Sequence, residues 1–446
     1  MKIVIAGAGD MGTHLAKMLS GNGHDISVAD VDPKALEEVG GLVDVETIEG
    51  DTTQFSVLKK AGVRKCDLFI AVRSVENDNI LSAVMAKQLG ARKAIARIDS
   101  SEYLEPNSKE IFIDMGIDYL FYPEHIAARE VINLLGHSST TEYVDFAAGK
   151  LSLLAFKLEL TSPLLGRKVI DEDNMDEDME YRTVAIVRNS HTIIPTAEHR
   201  YEEEDMVYII ARHNATSDIV ELSGNSQVDI RNMMILGGSR IGVRIAKELQ
   251  NKVNIKLVDY NADKAVMLSK LLDKTLIINE DGRNTEAMLE EDISGMDAFV
   301  AVTGRSETNI LAAMLAKRMG VKKVIAEVEN INYISLAESM GVNTIINKKL
   351  VTASNIFRFT MTTDVQAIKC LTGSQAEVLE FIVKPNSPAT KSSIKELGLP
   401  EDAMIGGVVR GDRVFIAVNS TRINAYDRVV VFAMPDSITR VAEFFN

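Results

Sequence analysis

Tryptophan is absent from this 446-residue sequence, and its only cysteines, Cys66 and Cys370, fall one in each half. Two such isolated thiols form neither a disulfide framework nor a metal-binding cluster, so a disulfide-stapled scaffold and a zinc module are excluded and a reducing cytosol fits best. No run approaches the roughly 18 apolar residues that span a bilayer, and Met1-Lys2 leads straight into a strand pattern without a signal peptide. Low-complexity and proline-rich segments are missing too. The seven histidines (His14, His24, His125, His137, His191, His199 and His213) are scattered through the first half. Without a repeated catalytic dyad, a metal spacing or a Gly-x-Ser-x-Gly elbow, no enzyme is expected. Positive charge is in deficit: 49 Lys and Arg face 64 Asp and Glu, a net charge of −15. That field repels nucleic acid and anionic head groups and attracts a basic protein surface.

What is present is ample apolar material, 46% of residues against 25% charged, enough for several buried cores. The chain is a duplication. "LFIAVRSVENDNILSAVMAKQLGARKAIARI" at Leu68 to Ile98 aligns with "AFVAVTGRSETNILAAMLAKRMGVKKVIAEV" at Ala298 to Val328, an offset of 230 that also carries Gly7 to Gly237 and Gly12 to Gly242. In each half the βα alternation stops, near Gly136 and near Ala367, and short strand patterns follow. "LELTSPLLGRKV" resembles "FIVKPNSPATKS", and "EEDMVYIIA" resembles "AYDRVVVFA".

Four domains are therefore expected, at 1–135, 140–224, 230–362 and 367–446. The fold class is α/β: two doubly wound parallel Rossmann-like domains, each followed by a small α+β domain read as β-α-β-β-β. In the first of these, "KLSLLAFKLEL", "YRTVAIVR" and "EDMVYIIAR" are core strands and "SHTIIPT" is an edge strand ended by Pro195. The helical stretches Pro123 to Leu135 and Leu350 to Phe359 join the domains and serve as crossovers.

Gly7-Ala8-Gly9-Asp10-Met11-Gly12 stands between a strand and a helix, as the dinucleotide fingerprint requires. Gly7 makes the tight turn, Gly9 admits a pyrophosphate to the backbone, and Gly12 lets helix pack on strand. Asp30, ending "ISVAD", is placed to accept both ribose hydroxyls and to repel a 2′-phosphate, which favours NAD over NADP. Asp32 reads as a solvated acid or the cap of the helix beginning at Pro33. Gly50-Asp51-Thr52-Thr53 either meets the adenine edge or makes an N-capped turn. Arg73, after Val72, is placed to approach a phosphate, and Arg97 either does the same or forms an intersubunit ion pair.

In the second half the loop is Gly237-Gly238-Ser239-Arg240-Ile241-Gly242, with serine weakening the pyrophosphate fit yet able to donate to phosphate. Asp259 keeps the ribose acceptor, while Asp281-Gly282 replaces the Gly-Asp-Thr-Thr turn. Arg240 favours extra negative charge where Asp10 opposes it, so the two sites should prefer different ligands.

The combination of Gly7-x-Gly9-x-x-Gly12, "VAD", "EGDTT" and "FIAV", followed by a small β-rich unit and then repeated, resembles the TrkA family of bacterial potassium uptake proteins. The resemblance spans Met1 to Asn446. It implies tandem RCK (or KTN) domains with RCK-C units in a cytoplasmic subunit, peripheral on the inner face of the membrane. It further implies binding of NAD(H) and ATP/ADP, a homo-oligomer (a ring of dimers or a tetramer), and gating of a TrkH-type potassium-translocating membrane subunit. Nucleotide contacts carried over by position are Gly7, Ala8, Gly9, Asp10, Met11, Asp30, Asp51, Thr52, Val72, Arg73 and Ile98. Those of the second half are Gly238, Ser239, Arg240, Ile241, Asp259, Asp281 and Val302. In related single-repeat proteins an arginine at the fourth loop position reaches the γ-phosphate of ATP, which marks Arg240. Rival readings are an NAD-dependent oxidoreductase and a nucleotide sensor of another ion transporter.

Overall fold

The computed structural model describes the chain except residues 21–23, 170–178, 190, 225–226, 343, 358, 361–364 and 372–373. The first parallel sheet holds β1 (Lys2–Ala6), β2 (Asp25–Asp30), β3 (Glu46–Glu49), β4 (Leu68–Ala71), β5 (Lys93–Arg97) and β6 (Tyr119–Phe121), in the order β3-β2-β1-β4-β5-β6. That is the doubly wound order, with the switch point between β1 and β4. Residues such as Ile3 to Ala6 and Leu68 to Ala71 are wholly buried, because helices cover both faces of a parallel sheet and its strands must be apolar throughout. Register sets Ala6 beside Ala29 and Ala71, which brings Gly7, Asp30 and Val72 to one edge.

The first antiparallel sheet follows, with β7 (Glu142–Phe146), β8 (Leu151–Lys157), β9 (Tyr181–Arg188), β10 (His191–Ile193) and β11 (Met206–Arg212) in the order β10-β9-β11-β8-β7. The second parallel sheet repeats the doubly wound order as β14-β13-β12-β15-β16-β17. Its strands are β12 (Asn232–Leu236), β13 (Asn254–Val258), β14 (Thr275–Ile278), β15 (Ala298–Ala301), β16 (Lys323–Glu327) and β17 (Thr344–Ile346). The last sheet contains β18 (Val365–Cys370), β19 (Glu377–Ile382), β20 (Ala403–Arg410), β21 (Arg413–Ile416) and β22 (Arg428–Ala433), in the order β18-β19-β22-β20-β21. Read from its other edge, this is the topology of the first antiparallel sheet. The expected fold class is thus found in both halves.

Two details depart from the sequence reading. The edge strand β7 was not foreseen, and between β19 and β20 the chain forms only the short 3-10 turns Pro388–Thr390 and Ile394–Glu396 in place of a helix. The corresponding stretch of the first half includes residues 170–178, outside the described ones, as are Gly21 and Gly23, read as the end of the first helix.

The described residues form two compact units. One comprises Met1–Ile126 with Lys349–Met361; the other comprises Ala127–Lys348 with Thr362–Asn446. In the first unit, residues 349–357 of the helix Lys348–Phe357, and Phe359 beyond it, come from the second half and pack with the first parallel domain. Phe359 lies 5.1 Å from the Tyr119 ring and under Lys93 Nζ at 5.5 Å. In the second unit, Ala127, Val131 and Leu134 of the helix Pro123–Gly136, which come from the first half, share a core with Met233, Ile235 and Ile245. The crossover helices are therefore exchanged between halves. In the same unit the two antiparallel sheets share a core through Leu153, Tyr208, Val378 and Phe432. Gly406 and Gly407 permit that approach, since a Cβ at Gly406 would stand 2.7 Å from Ile210 Cγ1. Small domains that bury little surface alone gain a core by such pairing.

Candidate functional site

The first loop leaves β1 at Gly7, where φ is +121° and a Cβ would lie 3.0 Å from Arg73 N. The helix Asp10–Ser20 packs so closely that a Cβ on Gly12 would fall 1.9 Å from Gly7 O. At Gly9 a Cβ would meet nothing within 4 Å. Two glycines thus serve the chain's own packing, and Gly9 alone leaves its space to something outside it, at the positive end of a helix.

The second loop obeys the same division. A Cβ on Gly237 (φ +107°) would lie 2.9 Å from Thr303 N, and one on Gly242 would lie 2.2 Å from Gly237 O. Ser239 takes the tolerant middle position. Its Oγ accepts from Gly242 N at 3.3 Å and caps the helix Arg240–Leu249, leaving its own proton for an anion. Serine here is a helix cap as well as a substitute for glycine.

Each carboxylate that ends a second strand is tied to its own loop. Asp30 Oδ2 accepts from Ala8 N at 2.7 Å and its Oδ1 from Asp32 N at 3.0 Å. Asp259 Oδ2 accepts from Gly238 N at 2.8 Å and its Oδ1 from Asn261 N at 3.0 Å. Asp259 also pairs with Lys264 Nζ at 2.8 Å. Burial works against its charge, but hydrogen bonds from Lys264, Asn261 and Gly238 prevail and hold the carboxyl below its usual range. Asp32 is the cap of the helix Pro33–Leu42, accepting from Lys34 N, and Asn261 caps the matching helix Ala262–Leu271.

The remaining first-half residues sort themselves by partner. Asp51 makes the capped turn, accepting from Thr53 N at 3.0 Å and from Arg73 Nη1 at 2.9 Å. The Thr53 bond, assisted by Arg73, holds its carboxyl low. Arg73 is claimed by two acids, Asp51 and Asp78. Arg97 is engaged within its own chain, by Asp99 at 3.1 Å and Glu124 at 3.9 Å. Thr52, Val72 and Ile98 are buried, as is Val302 in the second half. Asp10 is met by Lys349 at 2.8 Å, so its opposition to phosphate is partly cancelled. His14 below it is driven down to about 4 by burial, then by Lys349 and Lys17.

Sequence reasoning passed over Asn79 and Asn309, which knot both halves alike. Asn79 Oδ1 accepts from Arg73 N, and its Nδ2 donates to Arg73 O and Arg97 O. Asn309 does the same with Thr303 N, Thr303 O and Glu327 O. Their shared place in the "END-N" and "SETN" segments was the signal.

The second site is an open cleft of about 410 Å³ walled by Gly237, Ser239, Asp259, Tyr260, Lys264, Asp281, Arg283, Thr303 and Arg305, among others. Asp281 is bound by Arg283, whose side-chain hydrogen bonds first and N–H second bring its carboxyl down to about 2. Arg240, exposed in the first helical turn, is not among the walls. The cations that are, Lys264, Arg283 and Arg305, correspond to Ala35, Thr53 and Val75 in the first half. Comparing the halves position by position was the signal that would have found them. Tyr260, 79% exposed beside Asp259, offers a ring face at the same wall. Among the described residues, no group of acids, histidines and cysteines could hold a metal, and no helix is long and apolar enough to cross a membrane.

Comparison with known proteins matches residues 3–123 and 233–348 to the TrkA-N domain and residues 378–446 to the TrkA-C domain. The Trk system potassium uptake protein TrkA homolog of Archaeoglobus fulgidus is 33% identical, with all of both chains covered. The Trk system potassium uptake protein TrkA of Vibrio alginolyticus is 31% identical over 97% of this chain and 95% of its own. Among solved structures, the GsuK channel bound to NAD superposes with a TM-score of 0.61 at 17% identity, covering all of this chain and 78% of that one, a likeness of fold.

Proposed function

We propose a function that proceeds from one premise: the chain belongs to the TrkA family of Trk system potassium uptake proteins. It is a regulator of potassium uptake and not an enzyme. Its first half binds NAD(H), its second binds ATP or ADP, and an oligomeric ring of such chains gates a TrkH-type membrane subunit from the cytoplasmic face.

The observation that carries this reading is the pair of carboxylates, Asp30 and Asp259, each hydrogen-bonded to a backbone N–H of its glycine loop at the carboxyl end of a parallel sheet. In both halves a ribose acceptor and a phosphate cradle are thereby held together. In support of NAD(H) in the first half, Gly9 faces open space, among the described residues no cation pairs with Asp30 as Lys264 does with Asp259, and a solved neighbour of the same fold is the GsuK channel bound to NAD. In support of a more phosphorylated ligand in the second, Lys264, Arg283 and Arg305 wall its cleft and Arg240 opens its helix. Tyr260 supplies a stacking face for adenine.

A ligand can shift gating only through differential affinity for two arrangements of the ring. The test is potassium flux through vesicles holding a TrkH-type subunit with this chain, wild type or Asp30→Ala. NAD(H)-dependent flux in the wild type and its loss in the variant support the reading. An unchanged response in the variant, or steady NADH oxidation with a small carbonyl substrate, overturns it.

A further inference from the structure

A second cleft, of about 310 Å³, opens where β16 and β17 begin, at the amino ends of the strands and so on the opposite side of the sheet from the phosphate loop. The linker after Pro123–Gly136 and the end of β8 complete its wall. Four lysines line it, Lys157, Lys317, Lys322 and Lys323, against one carboxylate, Glu159, on a chain whose net charge is −15.

Lys157 is ion-paired with Glu204, and Lys317 donates to Gly341 O at 2.8 Å. Lys323 is different. It is 3% exposed, and its ammonium donates only to neutral oxygens, Thr140 O at 2.6 Å and Thr344 Oγ1 at 3.5 Å. Among the described residues no carboxylate pairs with it. Burial alone draws it down to about 7.

A buried ammonium without a counter-charge is costly to hold, and a linker carbonyl could be satisfied without any charge. The equivalent residue of the first half, Lys93, lies over the Phe359 ring at 5.5 Å and is only partly buried, so the position does not require a buried cation. The missing counter-charge belongs in the cleft that Lys323 lines.

We propose that this cleft binds a small dianion bearing a phosphate-type or dicarboxylate group, with Lys323 as its buried counter-cation and Lys317 and Lys322 at its rim. A bound anion would join the linker Ser138 to Thr141 to β16 and so stiffen the seam between the first antiparallel sheet and the second parallel sheet. This inference is independent of which nucleotide fills either loop.

The test is calorimetric titration of the full chain with sodium sulfate and, separately, sodium malonate, at ionic strength held constant with chloride. Saturable binding of either probe is expected, and which probe binds identifies the class. Lys323→Met should weaken it at least about tenfold. Should that variant fail to fold, the exposed double variant Lys317→Ala/Lys322→Ala should weaken it at least about threefold. The proposal is overturned if neither probe saturates by about 10 mM, or if affinity is unchanged in Lys323→Met or, where that variant does not fold, in the double variant.

Discussion

Three residues past the cap of the helix that follows Asp30 or Asp259, the first parallel half carries Ala35 and the second carries Lys264, paired with Asp259. At the turn after the third strand the first half has Thr53 and the second Arg283; after the fourth strand the residues are Val75 and Arg305. The turn glycines, the carboxylates and the Asn79 and Asn309 knots match, so the duplication has kept the cradle and changed the charge around it. Arg73, the first half's cation at this edge, is spent on Asp51 and Asp78. The cradle comes from backbone geometry that tolerates little change, whereas charge on the wall can be altered one side chain at a time.

The strongest way to break the comparison is to remove a carboxylate. Asp30→Ala loses charge-assisted bonds to ribose and the anchor of Ala8 N–H, worth about 2–3 kcal/mol, so NAD affinity should fall about a hundredfold by calorimetry. Binding of ATP in the second half should be unaffected. Next in size, Arg283→Ala combined with Arg305→Ala should weaken ATP about ten- to hundredfold in the same assay and leave NAD binding in the first half as it was.

The glycines separate packing from ligand contact. Gly12→Ala forces atoms apart against Gly7 O and should destabilise the fold by about 1–3 kcal/mol in denaturant unfolding. Gly9→Ser, which copies the second loop, should leave stability within about 0.5 kcal/mol while weakening NAD severalfold. A pH dependence concerns His14. Because its folded value lies below its unfolded one, the unfolded chain takes up the proton first, and stability falls as pH drops from 6.5 toward about 4. Lys349→Ala should raise His14 in an NMR titration, yet leave it below 6.5 because burial is the larger cause.

The repeat and the apolar strands made the α/β class legible, since strands covered on both faces read as continuous apolar runs. Edge strand β7 escaped because Glu142 and Asp145 interrupt its pattern. The exchange of the helices Pro123–Gly136 and Lys348–Phe357 escaped for another reason: periodicity reports that a helix has an apolar face and is silent on what covers it. At the sites, the fingerprint revealed the loops and carboxylates by their spacing. It also drew attention to Arg240 because that residue lies inside the motif, while Lys264, Arg283 and Arg305 lie outside it and converge only in three dimensions. The ion pairs of Arg73, placed to approach a phosphate, and of Arg97, placed to do the same or to form an intersubunit ion pair, escaped because their acids are distant in sequence, such as Asp51 for Arg73 and Glu124 for Arg97.

The central claim, that the halves hold different nucleotides, is tested most directly by titrating NAD into the full chain with and without saturating ATP, in wild type, Asp30→Ala and Asp259→Ala. The account predicts NAD binding that survives ATP, is lost in Asp30→Ala and persists in Asp259→Ala, with ATP binding showing the reverse dependence. Competition of the two ligands for one site, or loss of both in either variant, would contradict it.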